Sequence, residues 1–290
     1  MKNPVQRVLV FIIGFPTIIA IVLFLPYKSN LAFNLLVTVF SCLGAVEFSS
    51  MLSCKKISIP KKEAVLFGAL PPLAMILVVS FGCNALLIPA VFSAVAVWLL
   101  LSGTFSRGNA LEDFIYRITA GLAVLVYPGL LLAWIVRFSN WEKNTGIIIL
   151  TFLFMVFSSD GLAWIFGMAF GKNNKGLVPA SPTKSVAGFI GGVLAPTLTG
   201  VVVTLIWPGV FVPKCASILG IPAIAGFIVG LLTGVAAVLG DLGESAVKRS
   251  AGIKDSGVIM PGRGGILDSI DSVALAAPVF YLVFRLLFVN

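Results

Sequence analysis

Residues 240–271 read GDLGESAVKRSAGIKDSGVIMPGRGGILDSID and lie between two long apolar runs. Asp241, Glu244, Asp255, Asp268 and Asp271 are five of the chain's eleven acids, and Lys248, Arg249, Lys254 and Arg263 sit among them. A lipid-facing helix does not carry that mixture, because each charge at bilayer depth costs about 3 kcal/mol or more. The stretch therefore reads as a polar segment joining two membrane spans. Its chemistry suits a metal ion held together with phosphates: Mg²⁺ takes one or two carboxylates plus substrate oxygens, and Lys and Arg offset the remaining charge. Pro261-Gly262-Arg263-Gly264-Gly265 breaks any helix and lets backbone N–H groups approach an anion.

Composition extends this reading outward. Hydrophobic residues make up 59% of the 290 and charged residues 11%, against about 25% charged in a soluble domain. The expected fold class is all-α, a polytopic integral membrane protein. Nine apolar runs are long enough to cross a bilayer, at roughly 7–25, 31–52, 64–80, 84–102, 118–138, 146–170, 186–207, 217–240 and 271–289. The third and fourth are separated only by the turn around Gly82 and Cys83 and interrupted by Pro71, Pro72 and Pro89, so a re-entrant hairpin is the alternative there. Lys2 and Arg7 precede the first run, but Phe24-Leu25-Pro26-Tyr27 has no small-residue cleavage site, which reads as an uncleaved first span. Residues 1–150 supply about five spans without readable chemistry. Residues 151–290 form the region that carries it, with polar loops at 171–185 and 240–271.

Charge orients the spans. With nine of them, the N-terminus and every second loop carry fifteen of the twenty Lys and Arg residues, and the other side and helix ends carry Lys28, Arg137, Lys143, Lys214 and Arg285. Positive residues mark the cytoplasmic side, so the N-terminus and residues 240–271 are expected in the cytoplasm and the C-terminus outside, in the inner (cytoplasmic) membrane of the cell. The net charge of +9 then reflects topology and attraction to anionic headgroups, not a groove for nucleic acid. Cys42, Cys54, Cys83 and Cys215 lack paired spacing, and with no histidine in the chain they make no zinc site and read as apolar filler.

Three further features stand out. The loop GKNNKGLVPASPTKSVAGFIGG, residues 171–192, gathers Lys172, Lys175, Lys184, Ser181, Thr183 and Ser185 before a helix whose N-terminus favours anions; Ser181 before Pro182 reads alternatively as a plain N-cap. Leu177 occupies the position at which a P-loop requires Lys. Asp160 lies inside the sixth span, about 15 Å along the axis from Phe170, where a carboxylate points to a polar cavity or to hydrogen-bonded packing. Glu47, in the second span, is open to the same two readings. Gly226, Gly230 and Gly234 recur every four residues, a spacing that lets helices pack closely within a chain or across a homodimer.

The polar stretch has plainer readings as well. Glu244 and Lys248, four apart, can form a surface pair worth about 0.3–0.5 kcal/mol. Asp268 or Ser269 can cap the last helix, with Asp271 in its first turn. Asp241 resists such a reading, since no basic residue is close to it in sequence.

Ser245-x-x-Lys248-Arg249, Lys254-Asp255-Ser256-Gly257 and Pro261-Gly262-x-Gly264-Gly265-x-x-Asp268-x-x-Asp271 together resemble the signature of phosphatidate cytidylyltransferases, or CDP-diglyceride synthases. Asp160-x-x-Ala163-Trp164, Phe170-Gly171-Lys172 and Ser181-Pro182-x-Lys184 with Gly188 are similar to the same family, so the resemblance covers roughly 158–280. The family usually has His at Arg263, Arg at Ser269 and Glu at Ala187. The resemblance implies a membrane transferase joining CTP and phosphatidate to give CDP-diacylglycerol and pyrophosphate. It implies Mg²⁺ on Asp241 and Asp268, with Asp271 orienting ligands or holding a second cation. Lys248 joins these three acids as catalytic; Ser181, Lys184, Lys172, Ser245, Arg249, Lys254, Asp255, Arg263, Gly264, Gly265 and Asp160 are the substrate-binding candidates. The alternatives are a transporter or channel with an ion site around Asp160, and a transferase acting on another lipid phosphate.

Overall fold

The computed structural model describes residues 4–55, 57, 59–104, 109–141, 143–214, 221–260, 262 and 264–289. It is almost entirely helical: α1 Pro4–Phe24, α2 Tyr27–Ser53, α3 Lys61–Phe81, α4 Leu87–Thr104, a single turn α5 Asn109–Glu112, α6 Phe114–Val124, α7 Leu131–Phe138, α8 Thr145–Phe170, α9 Val186–Ile206, α10 Pro222–Ser250 and α11 Leu267–Leu287. A π-helical segment, Leu125–Leu130, joins α6 to α7. Eight helices or fused helices in the described residues are long and apolar enough to cross a membrane. They coincide with the second to ninth expected spans, and α1 corresponds to the first. The protein is an all-α, polytopic membrane protein.

Three bounds move. The 118–138 run becomes a longer composite, Phe114–Phe138. Helix α10 continues about ten residues past the apolar run that ended at Gly240, and α11 begins at Leu267 rather than Asp271. The α3–α4 pair is not a shallow hairpin by length: both helices are candidate spans. They are separated by Gly82, whose φ of +69° ends α3 in the left-handed conformation that glycine adopts without a Cβ penalty.

The chain divides into two compact units, one of Met1–Asn140 with Val247–Ser269 and one of Trp141–Ala246 with Ile270–Asn290. This division differs from the 1–150 and 151–290 halves, because the polar stretch is shared between the units.

In the first unit α2 packs on α3, and prolines are accommodated by a hydroxyl. Pro72 lacks the N–H that would bond the carbonyl of Gly68, and Pro128 interrupts the ladder between α6 and α7. Ser41 Oγ stands 2.6 Å from the Gly68 carbonyl oxygen and 2.7 Å from that of Pro128, sharing its single proton between them. Neighbouring Ser side chains are the usual means by which a membrane helix tolerates proline.

In the second unit α8 packs on α9, and α9 on α10. A Cβ on Gly200, Gly226 or Gly230 would collide with backbone atoms of the facing helix, and one on Gly234 would lie 3.1 Å from Val193 Cα. The glycine spacing of α10 thus serves packing within the chain. Trp141, Phe152, Phe211, Phe280, Phe284 and Phe288 form a buried aromatic cluster, closed by a short antiparallel pairing of β1 Val212–Pro213 with β2 Phe288–Val289.

Candidate active site

Helix α10 positions the first set of polar residues. Asp241, Glu244, Ser245 and Lys248 recur at i, i+3, i+4 and i+7 and so share one face of it. Lys248 and Arg249 fall in its last turn, where cations complement the helix dipole.

In the second unit, Asp241 forms an ion pair with Lys184 of the 171–185 loop. The basic partner that sequence proximity did not offer Asp241 comes from 57 residues away. The pair is about one-third exposed, so it is open to ligands and contributes modestly to stability. Asp271 is buried and is faced by the charges of Asp241, Glu244 and Asp160. The helices meet at this level: a Cβ on Gly240 would stand 2.6 Å from the Asp271 carbonyl oxygen. Asp160 itself is exposed on α8. Four carboxylates, which are hard oxygen donors, and one ammonium therefore lie in this unit. Among the described residues no three acids are close enough to hold an ion unaided.

The 171–185 loop folds back on itself. Lys175 bridges Ser185, and Val186 N donates to the Asn174 carbonyl at 3.0 Å. The cap of α9 is Ser185, whose hydroxyl accepts from Gly188 N at 3.1 Å, and not Ser181, because the chain turns once more before the helix starts. Ser181 is buried, while Lys172 is exposed.

In the first unit, the end of α10 and the loop to α11 form a second ion pair, Lys248 Nζ to Asp268 Oδ1 at 2.6 Å. Asp268 Oδ2 also accepts the backbone N–H of Gly265 at 2.8 Å and of Ser256 at 3.0 Å. The N–H of Gly265, expected to face a substrate anion, thus meets the protein's own carboxylate. Asp268 is not a simple helix cap either: it ties the loop's two ends together. Gly264 has a φ of +119°, which explains glycine there. Arg249 and Lys254 are exposed, and Arg249 Nη1 donates to the Ile253 carbonyl at 3.3 Å. Ser245 is buried and Asp255 half-buried. Arg263 lies outside the described residues.

Sequence reasoning left Glu47 undecided. Its carboxylate is buried and accepts three hydrogen bonds, from Ile266 N at 3.0 Å, Leu267 N at 2.9 Å and Ser256 Oγ at 3.0 Å. The available signal was an acid inside a span. Its partners lie 209 to 220 residues away and have no local trace.

Fold and site define a multi-pass membrane protein that collects carboxylates and lysines on the polar ends of two helices and their loops. Residues 5–287 match the model of the cytidylyltransferase family, and the chain belongs to that family. It is 31% identical over 272 residues to the phosphatidate cytidylyltransferase of Bacillus subtilis, covering 91% of this chain and 93% of that one. It is 40% identical over 147 residues to the phosphatidate cytidylyltransferase of Synechocystis, a match covering 49% of this chain and 45% of that protein. It is also 30% identical over 215 residues to the uncharacterized protein YnbB of Escherichia coli, covering 72% and 67%. Family membership does not favour the transporter alternative.

Proposed function

We propose that the protein condenses CTP with phosphatidate in a Mg²⁺-dependent reaction. A phosphate oxygen of phosphatidate attacks the α-phosphorus of CTP, the bond from that phosphorus to the β-phosphate bridging oxygen breaks, and pyrophosphate leaves as CDP-diacylglycerol forms. The attacking oxygen is already anionic, so the work left to the protein is to position two polyanions that repel each other and to offset developing charge. The observation that carries this reading is the pairing of a lysine with an aspartate in each compact unit, Lys184 with Asp241 and Lys248 with Asp268, in a chain of the cytidylyltransferase family. Such pairs hold ammonium groups in position before a phosphate arrives.

Asp241 and Asp271 are the residues best placed to hold Mg²⁺, with Asp160 and Glu244 adding negative field around them. The ion would neutralise triphosphate charge and polarise the reacting phosphate. Asp268 is given the different task of holding the loop and Lys248, since both of its oxygens are engaged. Lys184, Lys248 and Arg249 would bind phosphates, with Ser181, Lys172, Ser245, Lys254 and Arg263 as the remaining polar candidates. The positive-inside bias supports a cytoplasmic site in the inner membrane, where CTP is supplied.

The test is an assay of purified protein in detergent micelles with Mg²⁺, phosphatidate and CTP labelled at either the α- or the γ-phosphate. The α-label is expected in the lipid phase and the γ-label in aqueous pyrophosphate. Transfer to a polyprenyl phosphate but not to phosphatidate would replace the lipid substrate in this reading. No transfer to any lipid phosphate would overturn it.

A further inference from the structure

Glu47 takes no part in the chemistry described so far, yet it is one of the most fully engaged charges in the first unit. It sits within α2, 5% exposed. Burying a carboxylate is costly unless hydrogen bonds replace water, and here three do: the hydroxyl of Ser256 and the consecutive backbone N–H groups of Ile266 and Leu267. Those two N–H groups open α11, where the first turn has no partners of its own and carries the positive end of the helix dipole. An anion belongs there, and the chain supplies its own.

The loop is shaped around that carboxylate. A Cβ on Gly257 or Gly265 would collide with the Glu47 carboxylate, and one on Gly265 would also meet Ser256 Oγ. The close approach of Glu47 is therefore enough to require glycine at two positions of the polar signature. Glu47 and Asp268 divide the loop's donors between them. Glu47 takes Ile266 and Leu267, while Asp268 takes Ser256 and Gly265 and holds Lys248. Ser256 links the two, because its hydroxyl donates to Glu47 and accepts from Asp268 N at 3.3 Å.

We infer that Glu47 is a positioning residue for the transfer reaction: through Ser256 and the first turn of α11 it fixes the 256–267 loop, and with it the Lys248–Asp268 pair. The inference rests on the proposed reaction for its kinetic consequence, but not for its structural one. A misplacement of about 1 Å at a reacting group costs on the order of 10²-fold in rate. Glu47→Gln keeps the side chain's size while removing its charge and turning an amide NH₂ toward N–H donors.

The test pairs hydrogen–deuterium exchange with kinetics on the full-length protein in micelles. In Glu47→Gln, amides of the peptide covering 253–270 are expected to exchange on the order of tenfold faster, with α8 and α9 unchanged. The kcat with CTP and phosphatidate is expected to fall about 10²-fold while both KM values stay within about threefold. Glu47→Asp, which restores the charge on a shorter arm, should recover part of both effects. Ser256→Ala removes one donor and leaves the backbone intact; it should shift exchange in the same direction by less, and it carries the test if Glu47→Gln does not fold. Unchanged exchange in 253–270 in the folded variants would overturn the inference, as would faster exchange with unchanged kcat. Faster loop exchange in a protein whose wild type transfers no cytidylyl group from CTP would support the anchor and overturn the proposed reaction instead.

Discussion

Lys248 Nζ donates to Asp268 Oδ1 at 2.6 Å, with the two side chains 12% and 9% exposed. The members of this pair are not equivalent. Asp268 also satisfies the N–H groups of Ser256 and Gly265, so its removal leaves a buried ammonium without this carboxylate and two backbone donors without an acceptor. Removing one partner of a buried pair costs about 3–5 kcal/mol. Asp268→Ala is therefore expected to lower the thermal midpoint in detergent more than Lys248→Met, which leaves Asp268 with two hydrogen bonds. Equal midpoints for the two variants would mean that the backbone bonds to Asp268 contribute nothing measurable.

The contact between α9 and α10 predicts a second asymmetry. A methyl at Gly230 would meet the carbonyl oxygen of Pro196 and, at 2.7 Å, Thr197 Cα. Both are backbone, so the helices must separate. Overpacking of this kind costs about 1–3 kcal/mol or more, and Gly230→Ala should lower thermal stability accordingly. Gly243, on the same helix, has nothing within 4 Å of a built Cβ. Gly243→Ala should be neutral or stabilising by up to about 1 kcal/mol, because alanine loses less backbone entropy in a helix. A stable Gly230→Ala would show that α9 and α10 are not in close contact.

Topology can be read with cysteines the chain already has. Cys54, at the end of α2, and Cys83, in the α3–α4 turn, are free and exposed, and one span separates them. Val258, in the loop before α11, is 93% exposed and makes a better reporter than Ser256, which is buried against Glu47. In a Cys42→Ser, Cys215→Ser background, a membrane-impermeant thiol reagent applied to spheroplasts should label Cys83 only. After the membrane is opened, Cys54 and an introduced Val258→Cys should react as well. Labelling of Val258→Cys in intact cells would place the polar stretch outside and reverse the charge-based orientation.

The spans were legible because bilayer thickness imposes a length and a composition that survive in a single sequence. Their ends were less so. The apolar run of α10 ends at Gly240, but the helix continues through Asp241–Ser250, since a helix that leaves the bilayer can keep its hydrogen bonds while changing its side chains. The polar stretch announced that chemistry gathers there, and the spacing of Asp241, Glu244, Ser245 and Lys248 on one helical face was recoverable by arithmetic. What could not be read was pairing across distance. Lys184 belongs with Asp241, and Glu47 with Leu267, through contacts that leave no local pattern. The glycines carry a second role that the sequence does not show. Gly265 suggests an approach for a substrate anion, and its turn also receives the protein's own Asp268 and Glu47.

This bears directly on the metal. The sequence reading placed one Mg²⁺ on Asp241 and Asp268, 27 residues apart. On the reaction proposed above, Asp271 is the partner of Asp241: the charge of Asp241 acts on Asp271, and the backbones meet at Gly240 and Asp271. Asp268 would have to surrender Lys248 or its two backbone donors to bind an ion. Asp241→Asn and Asp271→Asn are accordingly expected to lower kcat by about 10²–10³ and to raise the Mg²⁺ concentration for half-activity. The double variant should be little worse than either single, since groups that act as a unit are not additive. Asp268→Asn should lower kcat through Lys248 and the loop while leaving the Mg²⁺ requirement where it was, and combined with Asp241→Asn its loss should multiply. The measurement is kcat against Mg²⁺ for the three singles and two doubles, with thermal midpoints as folding controls. A shifted Mg²⁺ requirement in Asp268→Asn, with none in Asp271→Asn, would return the ion to Asp241 and Asp268.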